Sequence, residues 1–130
     1  MTEQNGRLVL VADDDEDIRA LVTLQLERSG FTVAAAADGE RALELALERR
    51  PELAILDVSM PKLDGYELTR RLREDDRTSE MPIILLTARA QEADVARGLK
   101  AGADDYVKKP LSPNELGVRV EALLQRESAQ

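Results

Sequence analysis

The chain has 130 residues, 43% of them hydrophobic and 34% charged, and a formal net charge of −8. That length suits one compact domain over residues 1–130 with a core at about 7–126, and the balance is that of a globular chain rather than a disordered one. Without cysteine or histidine, disulfides, thiolate nucleophiles, imidazole bases and thiol- or imidazole-ligated metals are excluded. Oxygen ligands remain, and they suit hard cations such as magnesium, calcium or manganese. One phenylalanine, two tyrosines and no tryptophan leave little to stack on a flavin or on bases. The negative charge opposes direct nucleic-acid binding. No apolar run approaches a membrane span and the polar N-terminus lacks a secretion signal, so a cytoplasmic protein with no membrane association is expected.

Leu8-Val9-Leu10-Val11-Ala12 is a continuous apolar run of the kind found in strands buried on both faces. The acidic stretch from Asp13 to Asp17 leads into a helix with Ile18, Leu21, Val22 and Leu26 at helical spacing, stopped at Ser29-Gly30. Phe31 to Ala35 reads as a second strand, and Asp38-Gly39 opens a helix to about Arg49, closed by Pro51. Leu53-Ala54-Ile55-Leu56 is a third strand running into Asp57, followed by a helix from Asp64-Gly65 with Leu68 and Leu72 on one face. Arg70, Arg71 and Arg73 read as that helix's solvated face. Pro82 to Leu86 forms a fourth strand ending at Thr87, a helix spans about Gln91 to Lys100 before Gly102, and Asp105 to Lys108 forms a fifth strand. Ser112-Pro113 predicts the start of a last helix, striped by Leu116, Val120, Leu123 and Leu124. Strands alternating with helices define an α/β doubly wound domain with a parallel sheet.

The polar groups that interrupt this pattern stand at strand ends: Asp13 and Asp14 after the first strand, Asp57 after the third, Thr87 after the fourth and Lys109 after the fifth. Ligands of open parallel sheets bind beyond those carboxyl ends. Three carboxylates gathered there repel one another, and a divalent cation relieves the repulsion. Asp57 is then placed to attack an electrophilic phosphorus, with Lys109 and the Thr87 hydroxyl available to the phosphoryl oxygens. Asp15, Glu16 and Asp17 are expected to serve only as caps and dipole partners, and Asp64 as a helix cap.

The stretches Leu8 to Asp14, Asp57-Val58-Ser59-Met60-Pro61-Lys62-Leu63-Asp64-Gly65, Leu86-Thr87-Ala88 and Gly102 to Pro110 together resemble two-component response-regulator receivers over nearly the whole chain. The resemblance implies a flavodoxin-like (βα)5 three-layer sandwich with strand order 2-1-3-4-5. It implies Asp57 as phosphoacceptor, with Thr87 and Lys109 assisting. It further implies a Mg²⁺ site from Asp14, Asp57 and the Ser59 backbone carbonyl, with Asp13 acting through water, and a cis Lys109–Pro110 bond. Thr87 and Tyr106 are the implied switch pair, and the face of the fourth helix, fifth strand and fifth helix, around Val95, Tyr106 and Arg119, the implied output surface.

The implied partners are a sensor histidine kinase or phosphotransfer protein and a downstream output protein, with no catalysis beyond self-phosphorylation from small donors and self-dephosphorylation. Leu111 stands where phenylalanine is frequent in that family, and Ser59 and Arg89 occupy positions that tune hydrolysis. A stand-alone receiver is the first reading, with the receiver part of a DNA-binding transcriptional regulator and a phosphorylation-independent scaffold as alternatives. Arg97, Lys100, Asp105, Glu115 and Arg119 suggest either a monomer or a phosphorylation-favoured homodimer. A small-molecule phosphatase would carry a second carboxylate where Ser59 stands, and a flavin-binding module would need a phosphate-cradling loop and aromatic stacking groups.

Overall fold

The protein was analysed as a computed structural model, which describes residues 7–88, 91–109, 112 and 114–128. In chain order its elements are β1 (Leu8–Ala12), α1 (Glu16–Arg28), β2 (Thr32–Ala36), α2 (Gly39–Arg49), β3 (Leu53–Asp57), α3 (Gly65–Glu74), β4 (Ile83–Thr87), α4 (Glu92–Ala101), β5 (Asp105–Lys108) and α5 (Glu115–Ser128). The strands form one parallel sheet in the order β2-β1-β3-β4-β5, as the family resemblance implies.

Side chains of the central strands alternate between two cores, because successive residues of a strand point to opposite faces. Leu10, Ala12, Ala54, Leu56, Ile83 and Leu85 face one core, shared with Ala42, Leu45 and Ala46 of α2 and Leu68 and Leu72 of α3. Val9, Val11, Leu53, Ile55, Ile84 and Leu86 face the other, shared with Val22 and Leu26 of α1 and Leu116, Val120 and Leu123 of α5. Removing apolar surface from both faces of these strands explains why they read as unbroken apolar runs.

Local chemistry sets the helix ends. Asp15, Asp38 and Asp64 cap α1, α2 and α3 by accepting from the backbone N–H groups of Asp17 and Ile18, Arg41, and Glu67. Gly30 and Gly102 adopt φ of +94° and +118° after α1 and α4, where a left-handed residue ends the helix. At the end of α2 that conformation falls on Arg50, at φ 47°, immediately before Pro51.

The structure revises several expectations. Strand β2 runs one residue later than its apolar run suggests, from Thr32 to Ala36, and β4 starts one residue later, at Ile83, while ending at Thr87 as expected. Helix α5 begins at Glu115, whose N–H donates to the Ser112 carbonyl, while Pro113, Arg89, Leu111 and the Lys109–Pro110 bond lie outside the described residues. Leu21 is 48% exposed rather than buried with its helical neighbours. Arg70 and Arg71 pair with Glu67 on the exposed face of α3 as expected, but Arg73 does not belong there. Its guanidinium donates to the carbonyls of Gly102, Ser79 and Met81 and lies 2.8 Å from Asp104 Oδ2, which in turn accepts from the Ile83 N–H. Arg73 thus ties the end of α3 to the starts of β4 and β5. Helical periodicity cannot reveal that, because the partners come from other elements.

Candidate functional site

The parallel register brings the polar strand ends together. Ala12 pairs with Leu56, Asp57 with Leu86 and Thr87 with Lys108, so the residues that follow converge at one edge of the sheet. The backbone ladder continues past the strands, with Val58 N–H donating to the Leu86 carbonyl and Lys109 N–H to the Thr87 carbonyl at 2.7 Å. The edge lies where the strand order reverses between β1 and β3, the usual place for a ligand crevice in such sheets.

Asp13 and Asp57 are both buried, while Asp14 is exposed. One carboxylate oxygen from each of the three lies within 4.8 Å of the others. Lys109 bridges two of them, its Nζ standing 3.1 Å from Asp57 Oδ1 and 2.9 Å from Asp13 Oδ2. Asp13 Oδ1 accepts from the Asp15 N–H. Asp13 Oδ2 has the ammonium as counter-charge but no aligned hydrogen-bond donor, a buried oxygen with a free lone pair. Ser59 follows two residues after Asp57 on the β3–α3 loop, with its side chain exposed.

Burial pushes the Asp57 carboxyl up to about 6, and repulsion from Asp13 adds to that shift. The hydrogen bond and charge of Lys109 pull the other way without cancelling it. Burial acts to lower Lys109, but its contacts with Asp13 and Asp57 outweigh burial and hold its pKa above the ordinary lysine value. The site is therefore over-supplied with negative charge, and one lysine is not enough to balance it.

Gly65 lets the loop close over the site. A Cβ there would stand 2.5 Å from the Asp57 carbonyl oxygen and 2.9 Å from Val58 Cα, and the Gly65 N–H donates to the Val58 carbonyl. The chain returns through a tight turn at Lys62, at φ 72°, where the Leu63 N–H reaches the Pro61 carbonyl.

Thr87 is buried at the end of β4, and its side chain acts on the Tyr106 hydroxyl, drawing the phenol pKa down against the effect of burial. The Tyr106 hydroxyl also lies 3.0 Å from that of Tyr66 on α3. Burial, then the bond to Tyr66, holds the Tyr106 phenol well above the usual range. The sequence pointed to Thr87 and Tyr106 but not to Tyr66 or Gly98, and to Arg97 only as part of a possible dimer surface, although all three surround the pair. The only local signal was that Tyr66, immediately after Gly65, is the one other tyrosine in the chain.

A doubly wound sheet with an acid cluster, a threonine and a lysine at these strand ends is the architecture of a receiver. The family model for the response regulator receiver domain matches residues 9–121. The chain is similar to the alkaline phosphatase synthesis transcriptional regulatory protein PhoP of Bacillus subtilis, with 48% identity over 93% of this chain and 50% of that protein. Among solved structures it is similar to a putative response regulator from Chloroflexus aurantiacus, with a TM-score of 0.88, 38% identity, and coverage of 92% of this chain and 98% of the other. It is also similar to the receiver domain of a Pseudomonas aeruginosa sensor histidine kinase whose structure has a magnesium ion coordinated in the active site cleft. That match has a TM-score of 0.80 and 32% identity, and covers 93% of this chain and 96% of the other. The chain belongs to the response regulator receiver domain family. It is a receiver of two-component signalling, and it spans about half the length of the curated relatives it matches.

Proposed function

We propose that Asp57 accepts a phosphoryl group from the phosphohistidine of a partner kinase or phosphotransfer protein, and that Mg²⁺ assists at the acid cluster. The observation that carries this reading is the Lys109 ammonium set between Asp13 and Asp57, with Asp14 close enough to share a cation with both. An Asp57 carboxylate oxygen attacks phosphorus, the phosphorus–nitrogen bond breaks, and the donor imidazole leaves with the electron pair. The reacting form is the carboxylate, so protonation below about pH 6 removes the nucleophile in the metal-free protein. Lys109 offers its charge to the phosphoryl oxygens as negative charge builds there, and the Thr87 hydroxyl donates to one of them.

The donors fit a hard divalent cation: only oxygens are available, three carboxylates converge, and a buried Asp13 oxygen has no aligned donor. Asp13, Asp14, Asp57 and the Ser59 backbone carbonyl would hold it. Bound there, Mg²⁺ supplies charge neutralisation for the incoming phosphoryl group.

Phosphorylation biases a two-state equilibrium at the α4–β5–α5 face, where Val95, Tyr106, Glu115 and Arg119 line a cleft of about 500 Å³. That face controls an output partner in the cytoplasm. Arg119 is already engaged within the chain by Asp105 and Glu115, so a phosphorylation-favoured homodimer would have to exchange those pairs. The names of the relatives and their twofold greater length favour a second reading, in which this receiver governs an attached DNA-binding domain. Among the described residues no helix is long and apolar enough to cross a membrane.

The test is intact mass after incubation with acetyl phosphate, with and without Mg²⁺, for the wild type and Asp57→Asn. A magnesium-dependent gain of one phosphoryl group that the variant lacks is expected. No adduct after rapid acid quench, with beryllofluoride binding also absent, leaves a receiver-shaped scaffold.

A further inference from the structure

Tyr106 is held by more than its link to Thr87. Its hydroxyl is 3.0 Å from the Tyr66 hydroxyl, and the Tyr66 hydroxyl reaches the Asp94 carbonyl of α4 at 3.4 Å. The Arg97 guanidinium lies over the Tyr66 ring, 4.2 Å from its centroid. One residue further along α4, Gly98 makes room for the neighbouring ring: a Cβ there would stand 2.7 Å from Tyr106 Cδ2 and 2.9 Å from Cε2. Three positions of one helix, 94, 97 and 98, therefore act on a single pair of tyrosines.

We infer that Tyr66 is a positioning residue of the switch, whose hydroxyl keeps Tyr106 turned inward when Thr87 leaves it for a phosphoryl group on Asp57. The inference rests on the proposed phosphorylation only for that last clause. With Thr87 as its sole anchor, the Tyr106 hydroxyl would lose its partner when the threonine moves, and a half-buried phenol turned inward without a partner is unfavourable. With Tyr66 present, it keeps one hydrogen bond throughout. Thr87 is then released at lower cost, and α4 stays coupled to the ring through Asp94, Arg97 and Gly98. One neutral hydrogen bond of this kind biases the inward-to-outward ratio of Tyr106 by about fivefold.

The chain has two tyrosines and no tryptophan, so ring-labelled tyrosine gives two assignable NMR signals. Spectra of wild type and Tyr66→Phe, which keeps the ring beneath Arg97, would be recorded unphosphorylated and with Mg²⁺ and beryllofluoride, alongside urea unfolding. The expected result is a shift of the Tyr106 signal toward its solvent-exposed position before any phosphoryl mimic is added, by about fivefold in population. With the mimic, Tyr106 should be less completely inward than in wild type. An unchanged Tyr106 signal in a folded Tyr66→Phe protein overturns the inference. If that variant does not fold, Gly98→Ala serves instead, because the added methyl drives the Tyr106 ring out of its seat. The Tyr66 signal must then move as well, and an unmoved one is equally fatal. The unphosphorylated spectra decide the role of Tyr66 even if Asp57 takes no phosphoryl group, so the two readings fail separately.

Discussion

Lys109 Nζ stands 3.1 Å from Asp57 Oδ1, across 52 residues of sequence, and still does not bring the Asp57 carboxyl back to its ordinary range. Burial and the facing Asp13 carboxylate together outweigh the one ammonium. This surplus of negative charge links the stability of the protein to its chemistry.

The first consequence is a pH dependence of stability. The Asp57 pKa lies at 3.8 in the unfolded chain and is raised to about 6 in the fold, so between these values the folded state keeps a proton that the unfolded state has released. Its contribution is therefore most favourable below about pH 4 and is lost as pH rises through about 6. Two units correspond to at most about 3 kcal/mol. Urea unfolding of metal-free wild type and Asp57→Asn at pH 4 and pH 7.5 should show the variant gaining about 1–3 kcal/mol relative to wild type at the higher pH only. A difference independent of pH would mean that Asp57 titrates normally.

Divalent cation should reverse the sign. A cation held by Asp13, Asp14 and Asp57 would bind the folded state alone, so Mg²⁺ at roughly a hundredfold excess over its dissociation constant should raise stability by about 2–3 kcal/mol. Asp14→Ala removes an exposed carboxylate of the acid cluster without opening the core, so it should abolish this gain while leaving metal-free stability within about 0.5 kcal/mol. Thermal melts with and without Mg²⁺ read both effects.

Lys109→Gln keeps much of the stem but removes the charge placed between Asp13 and Asp57. Phosphoryl uptake from acetyl phosphate should slow by roughly 10–100-fold, because a pre-positioned donor is lost where charge develops. Quenched-flow mass spectrometry at saturating Mg²⁺ measures it, and an unchanged rate would assign Lys109 to stability alone.

Gly65→Ala should damage the site through the backbone. The new methyl would stand 2.5 Å from the Asp57 carbonyl oxygen, which belongs to the main chain and cannot swing aside. A loss of about 1–3 kcal/mol is expected, together with slower phosphorylation, since the displaced atoms carry the Asp57 side chain.

Arg73→Ala should destabilise the fold by about 2–4 kcal/mol, because several backbone carbonyls and Asp104 lose their donor together. Arg70→Ala and Arg71→Ala should fall within about 0.5 kcal/mol, since both pair with Glu67 on an exposed face. Equal losses for all three would remove the distinction drawn from the fold.

The element pattern was legible because burial on both sheet faces demands unbroken apolar strands, and because aspartates and glycines mark helix ends by their own chemistry. Asp13, Asp14, Asp57, Thr87 and Lys109 were legible for a related reason: they are polar groups at the edge of apolar runs, where nothing structural requires them. Strand order came from the family pattern, since parallel strands joined by helices carry no local record of their neighbours. The tertiary structure alone decided that Lys109 reaches Asp13 as well as Asp57, that Arg73 leaves the solvated face to bind other elements, and that Tyr66 meets Tyr106. Each of these depends on helix packing angles and on which rotamer the neighbours permit. Periodicity along the chain reports which face a residue occupies, but the partner it finds there is set by segments far away in sequence.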